Sequence, residues 1–244
     1  MSGHSKWSTI KRKKGAIDQA RAKIFTKLGR EIQVAVKNGG PDPTSNPRLK
    51  DIIAKAKSNN MPNDNIQRSI QKASGAGNDE HYDEITYEGY GPNGVAVIVR
   101  TLTENKNRTA GEVRHAFDKN GGNLGTAGSV SFMFEEKGSI IIDKEAIEDE
   151  DQLIMDALEA GSDDVIAEDE YYLIYTSPAD FAGVKEGLET QGYVLEEAAV
   201  EPVPNTWVTV DDEAVCLSLR KMIDMLEDSD DVQDIFHNWE NETE

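Results

Sequence analysis

From position 17 the chain alternates apolar and polar residues with a helical period. Ile17, Ala20, Ile24, Leu28, Ile32 and Ala35 recur at spacings of three and four and share one side of the helix. Asn38-Gly39-Gly40-Pro41 closes this helix, because glycine takes the left-handed cap conformation and proline bars continuation. A second helix opens at Asn46-Pro47, a cap residue followed by proline in the first turn, and points Leu49, Ile52, Ile53 and Ala56 inward. A third, short helix follows Met61-Pro62-Asn63 with Ile66, Ile70 and Ala73 inward. Three such stripes predict a small three-helix domain.

Beyond the break at Ser74-Gly75-Ala76-Gly77-Asn78 the period changes to two. Strands are predicted over 85–90 and 95–103, a helix over 108–120 and a strand over 130–134. The next stretch reads strand 139–142, helix 151–160, strands 165–167 and 171–176, helix 178–191 and strand 193–200. That order is β-α-β-β-α-β, the split-βαβ ferredoxin-like plan. A strand over 207–210, a helix with Val215, Leu219, Met222 and Leu226 inward, and a strand over 232–236 finish the chain. Joined to the elements of 95–134, they give a second β-α-β-β-α-β set, interrupted between its second and third strands.

The predicted class is therefore α+β: an N-terminal three-helix domain and two ferredoxin-like α+β domains, one inserted into the other. The expected boundaries are 1–78 for the helical domain with an N-terminal arm, 79–137 plus 205–244 for the discontinuous domain, and 138–204 for the insert.

Charge changes the picture. The first 78 residues hold sixteen Lys and Arg against five Asp and Glu, a net of +11, in a chain of net -20, so the remainder carries -31. A basic segment kept on an acidic protein points to a dedicated polyphosphate contact. Lys6, Lys11, Arg12, Lys13 and Lys14 form a basic arm without apolar period. On the first helix Lys23, Lys27, Arg30 and Lys37 lie opposite the apolar stripe, and on the second Lys50, Lys55 and Lys57 flank it. These twelve cations are the expected nucleic-acid contacts. Trp7 in the arm and Phe25 on the helix are candidates for stacking on bases, although Phe25 also fits the core stripe. Lys106, Arg108 and His115, around the predicted helix 108–120, make a candidate second patch.

Other chemistries find little support. Gly89-Tyr90-Gly91-Pro92-Asn93-Gly94 has the letters of the dinucleotide fingerprint, but a β-branched strand follows where the motif needs a helix, so a hairpin turn explains the glycines. The four His are scattered, and the single cysteine, Cys216, gives neither an intrachain disulfide nor a multi-Cys zinc site. Residues 138–244 hold 31 acids and four bases, so runs such as Glu148-Asp149-Glu150-Asp151 and Asp228-Ser229-Asp230-Asp231 read first as solvated surface. A metal-dependent phosphodiesterase built on two such runs is the remote reading, since their field repels its substrate. No cofactor, metal or catalytic residue is expected. No apolar stretch approaches the roughly 20 residues of a membrane span, and no secretory leader is recognisable, so a cytoplasmic protein is expected.

The chain resembles the YebC family throughout its length. The likeness rests on Gly3-His4-Ser5-Lys6-Trp7, Lys23-Ile24-Phe25-Thr26-Lys27, Asn46-Pro47-Arg48-Leu49, Ser58-Asn59-Asn60-Met61, Tyr87-Glu88-Gly89-Tyr90-Gly91-Pro92, Asn107-Arg108-Thr109, Gly121-Gly122-Asn123-Leu124-Gly125 and Asp224-Met225-Leu226-Glu227-Asp228. The resemblance implies a cytoplasmic, three-domain, non-enzymatic protein that regulates transcription by binding DNA. It also implies an alternative, a ribosome-associated translation factor or translational activator that binds RNA, since mitochondrial relatives act as translational activators. Nucleic acid, DNA or rRNA, is the expected partner, with no membrane partner and a monomer as the expected state.

Overall fold

The computed structural model describes Trp7, residues 18–75 and residues 81–241. Lys6, Lys11, Arg12, Lys13 and Lys14 of the expected arm, and most of the expected break at 74–78, lie outside those residues. The protein has an N-terminal helical region followed by two four-stranded antiparallel sheets with helices, the α+β architecture expected. It groups into two compact units, one of Lys11–Val130 with Val210–His237, the other of Ser131–Thr209 with the chain ends.

In the first unit three helices, α1 (Asp18–Gly39), α2 (Pro47–Ser58) and α3 (Asn63–Ser74), close on a core of Leu28, Ile32, Ala35, Val36, Leu49, Ile52, Ala56, Met61, Ile66 and Ile70. Phe25 packs against that core from its edge. Gly40, at φ 88°, ends α1 in the left-handed conformation, and its N–H donates to the Val36 carbonyl at 2.8 Å. Asn46 then serves two helices at once. Its Oδ1 accepts from the Leu49 N–H at 3.1 Å, capping α2, while its Nδ2 donates to the carbonyls of Ala35 and Gly40, each at 2.8 Å.

The same unit holds β1 (Asp83–Tyr90), β2 (Ala96–Thr103), α4 (Lys106–Lys119) and the two-residue β3 (Asn123–Leu124). It is completed by the helix Glu213–Glu227 and the strand Val232–His237 from the far end of the chain. The sheet order is β3, β1, β2 and then 232–237. β1 and β2 form a hairpin around the Pro92–Gly94 turn, where Asn93 and Gly94 have φ of 59° and 75°. A methyl group at Gly89 would sit 2.6 Å from the Asn123 carbonyl and 2.9 Å from Phe117. The fingerprint glycines thus serve the hairpin and its close contact with β3 and α4.

The second unit is the split-βαβ arrangement: β4 (Phe134–Asp143), α5 (Glu150–Ala160), β5 (Asp164–Ala167), β6 (Tyr171–Thr176), α6 (Phe181–Thr190) and β7 (Glu197–Pro204). The order β5-β6-β4-β7 is antiparallel at every neighbour. One sheet face packs Ile140, Ile142, Tyr172 and Ile174 against Leu153, Ala157, Val184 and Leu188 of the helices. The other gathers Ile141, Tyr171, Leu173, Tyr175 and Val203 around Trp7. Burial on both faces explains why β6 is an unbroken apolar and aromatic run rather than an alternating one.

Three strand expectations are corrected. The stretch 130–134 is no strand: Ser131–Met133 makes a 3-10 turn, and Phe134 opens the ten-residue β4, paired with Pro204 in the second sheet. The stretch 207–210 contributes only an isolated bridge between Val208 and Trp239. The last strand of the insert begins at Glu197 rather than 193. The first sheet takes its remaining members from β1 and β3 instead.

Candidate nucleic-acid interface

The helix Glu213–Glu227, α7, carries no basic residue in its last turn. Its final carbonyls and the negative end of its dipole therefore need positive charge from elsewhere. α1 supplies it. Lys27 Nζ donates to the Glu227 carbonyl at 2.8 Å, and Lys23 Nζ reaches Asp228 Oδ1 at 2.6 Å. Arg30 Nη1 donates to the Asp230 carbonyl and to Asp231 Oδ1, both at 2.7 Å. Three expected phosphate contacts, at i, i+4 and i+7 on one face of α1, thus meet a five-residue segment with four acids. The span from Lys23 to Arg30 is about 10 Å along the helix.

The contact is graded. At the Lys23 end both side chains are well solvated, 43% exposed for Lys23 and 77% for Asp228. At the other end the Asp231 side chain is only 3% exposed. There its Oδ2 also accepts from Arg108 Nη2 at 2.6 Å and from the Thr109 hydroxyl at 2.7 Å. Arg30 in addition lies over the Tyr82 ring, 5.7 Å from its centroid. Burial alone would raise the Asp231 carboxyl, but the hydrogen bonds from Arg108, Thr109 and Arg30 outweigh it and hold the group below its ordinary value. The same bond raises the Arg108 guanidinium.

The other expected contacts divide. Lys50 and Lys57 are exposed along one side of α2, and Lys37 is exposed near the end of α1. Lys55 turns to Glu31 at 3.2 Å and Asp234 at 3.8 Å. In the candidate second patch, Lys106 pairs with Asp83 at 3.0 Å, Arg108 clamps Asp231, and His115 is exposed. Trp7 stacks on Tyr171 at a centroid distance of 5.0 Å and donates its indole N–H to Glu170, so in this structure it is a core residue, 4% exposed.

Sequence reading missed Asp228 and Asp231 as partners, treating their run as solvated surface. A usable signal existed in the absence of any base at the end of α7. Among the described residues, no group of three or more His, Cys, Asp and Glu is arranged to hold a metal ion, and no helix is long and apolar enough to cross a membrane.

Profile comparison assigns residues 5–76 to the TACO1/YebC protein N-terminal domain and residues 82–239 to the TACO1/YebC second and third domain. The chain belongs to the TACO1/YebC family. A relative from Acetivibrio thermocellus, named a probable transcriptional regulatory protein, is 58% identical over 242 residues, 99% of this chain and 100% of its own. Another from Hathewaya histolytica, named probable transcriptional regulatory protein ORF2U, is 57% identical over 240 residues, covering 98% of this chain and 97% of its own. The crystal structure of a conserved hypothetical protein from Aquifex aeolicus superposes with a TM-score of 0.85 at 44% identity, covering 93% of each chain. TACO1/YebC membership accounts for the helical region and both sheets together.

Proposed function

We propose that this chain is a non-enzymatic, nucleic-acid-binding regulator of gene expression whose N-terminal helical domain holds the phosphate backbone. The carrying observation is the charge division, +11 in the first 78 residues against -31 in the rest. The names of the TACO1/YebC relatives, probable transcriptional regulatory proteins, support the regulatory part of this reading. Lys6, Lys11, Arg12, Lys13 and Lys14 supply the arm, and Lys37, Lys50 and Lys57 the exposed contacts of the helical domain. Phosphate contacts position a protein without reading sequence.

One observation favours RNA over duplex DNA as the ligand. Lys23, Lys27 and Arg30 of α1, the longest helix of the basic domain, lie against the end of α7, and the shielded Arg30–Asp231 pair holds the helix there rather than offering it as a groove-reading element. Folded RNA is recognised by shape and needs no such helix. This supports a translation factor that contacts rRNA, working in the cytoplasm. The test is fluorescence anisotropy of the full chain with a labelled RNA hairpin and a DNA duplex of equal length. Tighter binding of the hairpin supports the RNA reading, equal or tighter duplex binding supports the DNA form, and binding of neither at low salt refutes the proposal.

A further inference from the structure

We infer that the segment Glu227–Asp231 is a built-in competitor for the polyphosphate ligand, occupying Lys23 and Lys27 until a phosphate backbone displaces it. This rests on the nucleic-acid reading above and adds a regulatory step to the same site.

Four features carry it. The segment offers the ligand's own chemistry, with the carbonyls of Glu227 and Asp230 and the carboxylates of Asp228 and Asp231 on three cations. Its charge is reinforced by the negative end of α7, which has no base of its own nearby. The grip is uneven, solvated at Lys23 and Asp228 and shielded at Arg30 and Asp231. Exposed ion pairs are weak and screened by salt, so the contact opens from the Lys23 end. Lastly, in the sequence Lys11, Arg12, Lys13 and Lys14 precede α1, nearer along the chain to Lys23 than to Arg30.

The ligand's phosphates then take Lys23 and Lys27. Arg30 stays on Asp231, which is held in addition by Arg108 and Thr109. The contact thus peels from one end, and the helical domain keeps its anchor. The acidic segment raises the threshold for binding: weak or short polyanions fail to displace it, and longer ones that engage the arm succeed.

The experiment uses the full chain and a fluorescein-labelled RNA hairpin at fixed salt. Asp228→Asn removes the competitor's carboxylate from Lys23. Asp211→Asn, an exposed acid in the loop before α7, makes the same change in net charge elsewhere. Asp228→Asn is expected to bind about two- to fivefold tighter than Asp211→Asn, the range of an exposed ion pair. In a Lys23→Gln background the Asp228→Asn gain should vanish. Hydrogen exchange gives a second readout, with peptides covering 224–231 exchanging faster when RNA is bound. Equal affinities for the two Asn variants, together with unchanged or slower exchange at 224–231, overturn the competitor while leaving RNA binding intact. No binding by any variant overturns the functional reading and the competitor with it.

Discussion

Asp231→Asn tests how the helical domain is held to the first sheet. The carboxylate accepts four hydrogen bonds, from Arg30, Arg108, Thr109 and, at 3.3 Å, Thr103. The amide keeps the shape but loses the charge, and one of its ends becomes a donor facing donors. Breaking a buried ion pair from one side costs about 3–5 kcal/mol. Arg108 is 49% exposed and recovers water when its partner goes, so the expected loss is smaller. About 2–4 kcal/mol is the expectation, a shift in urea midpoint of roughly 1–2 M for a unit of this size. Far-UV circular dichroism is the probe to use, because Trp7, Trp207 and Trp239 all belong to the other unit and their fluorescence does not report on this one. Asp228→Asn, on a solvated pair, should move the midpoint by only a fraction of that. A shift below about 0.3 M for Asp231→Asn would refute the anchoring role.

Acid should weaken the same anchor. The folded-state carboxyl of Asp231 lies below its ordinary value of 3.8, so its contribution is complete above that value and is lost as pH falls toward the folded-state pKa. The stability gap between wild type and Asp231→Asn should therefore be constant from pH 7 to about 5 and narrow below about 4, read from urea titrations at each pH. Asn46→Ala removes a cap from α2 and strands two carbonyl partners near the end of α1, and should cost about 2–4 kcal/mol by the same assay. Gly111→Ala, exposed within α4 with open space around it, should stabilise by about 0.5–1 kcal/mol. Gly89→Ala, which drives a methyl group into the Asn123 carbonyl, should destabilise by at least about 1 kcal/mol.

The helical region was legible because its signals are local. The stripe of α1, the Gly40 stop and the Asn46-Pro47 start all lie within a turn or two of what they control. The split-βαβ unit was legible for the same reason, each strand and helix carrying its own period. The polar face of α1 was legible as a face but its occupant was not, since Lys27 and Glu227 stand 200 residues apart and nothing local couples them. β3 escaped notice because two residues carry no period. At 207–210 the alternation of Trp207, Val208, Thr209 and Val210 mimics a strand. Its ladder contacts run from Val208 to Asn238 and Glu240, with N–H and carbonyl each used once. Trp7 looked like a stacking residue in a basic arm, and the aromatic face that receives it, centred on Tyr171, lies 164 positions further along the sequence.

The central claim is that cations of the N-terminal region grip a phosphate backbone. It is tested most directly by anisotropy with a labelled RNA hairpin across a salt series, comparing wild type with a charge-reversed variant carrying Lys13→Glu, Lys14→Glu, Lys50→Glu and Lys57→Glu. If about six phosphates are engaged, wild-type log affinity should fall with log salt at a slope of about -4 to -5. The variant should bind at least about a hundredfold more weakly at low salt, with the slope flattened by about 3. Unchanged affinity and unchanged slope in the charge-reversed protein would contradict the account.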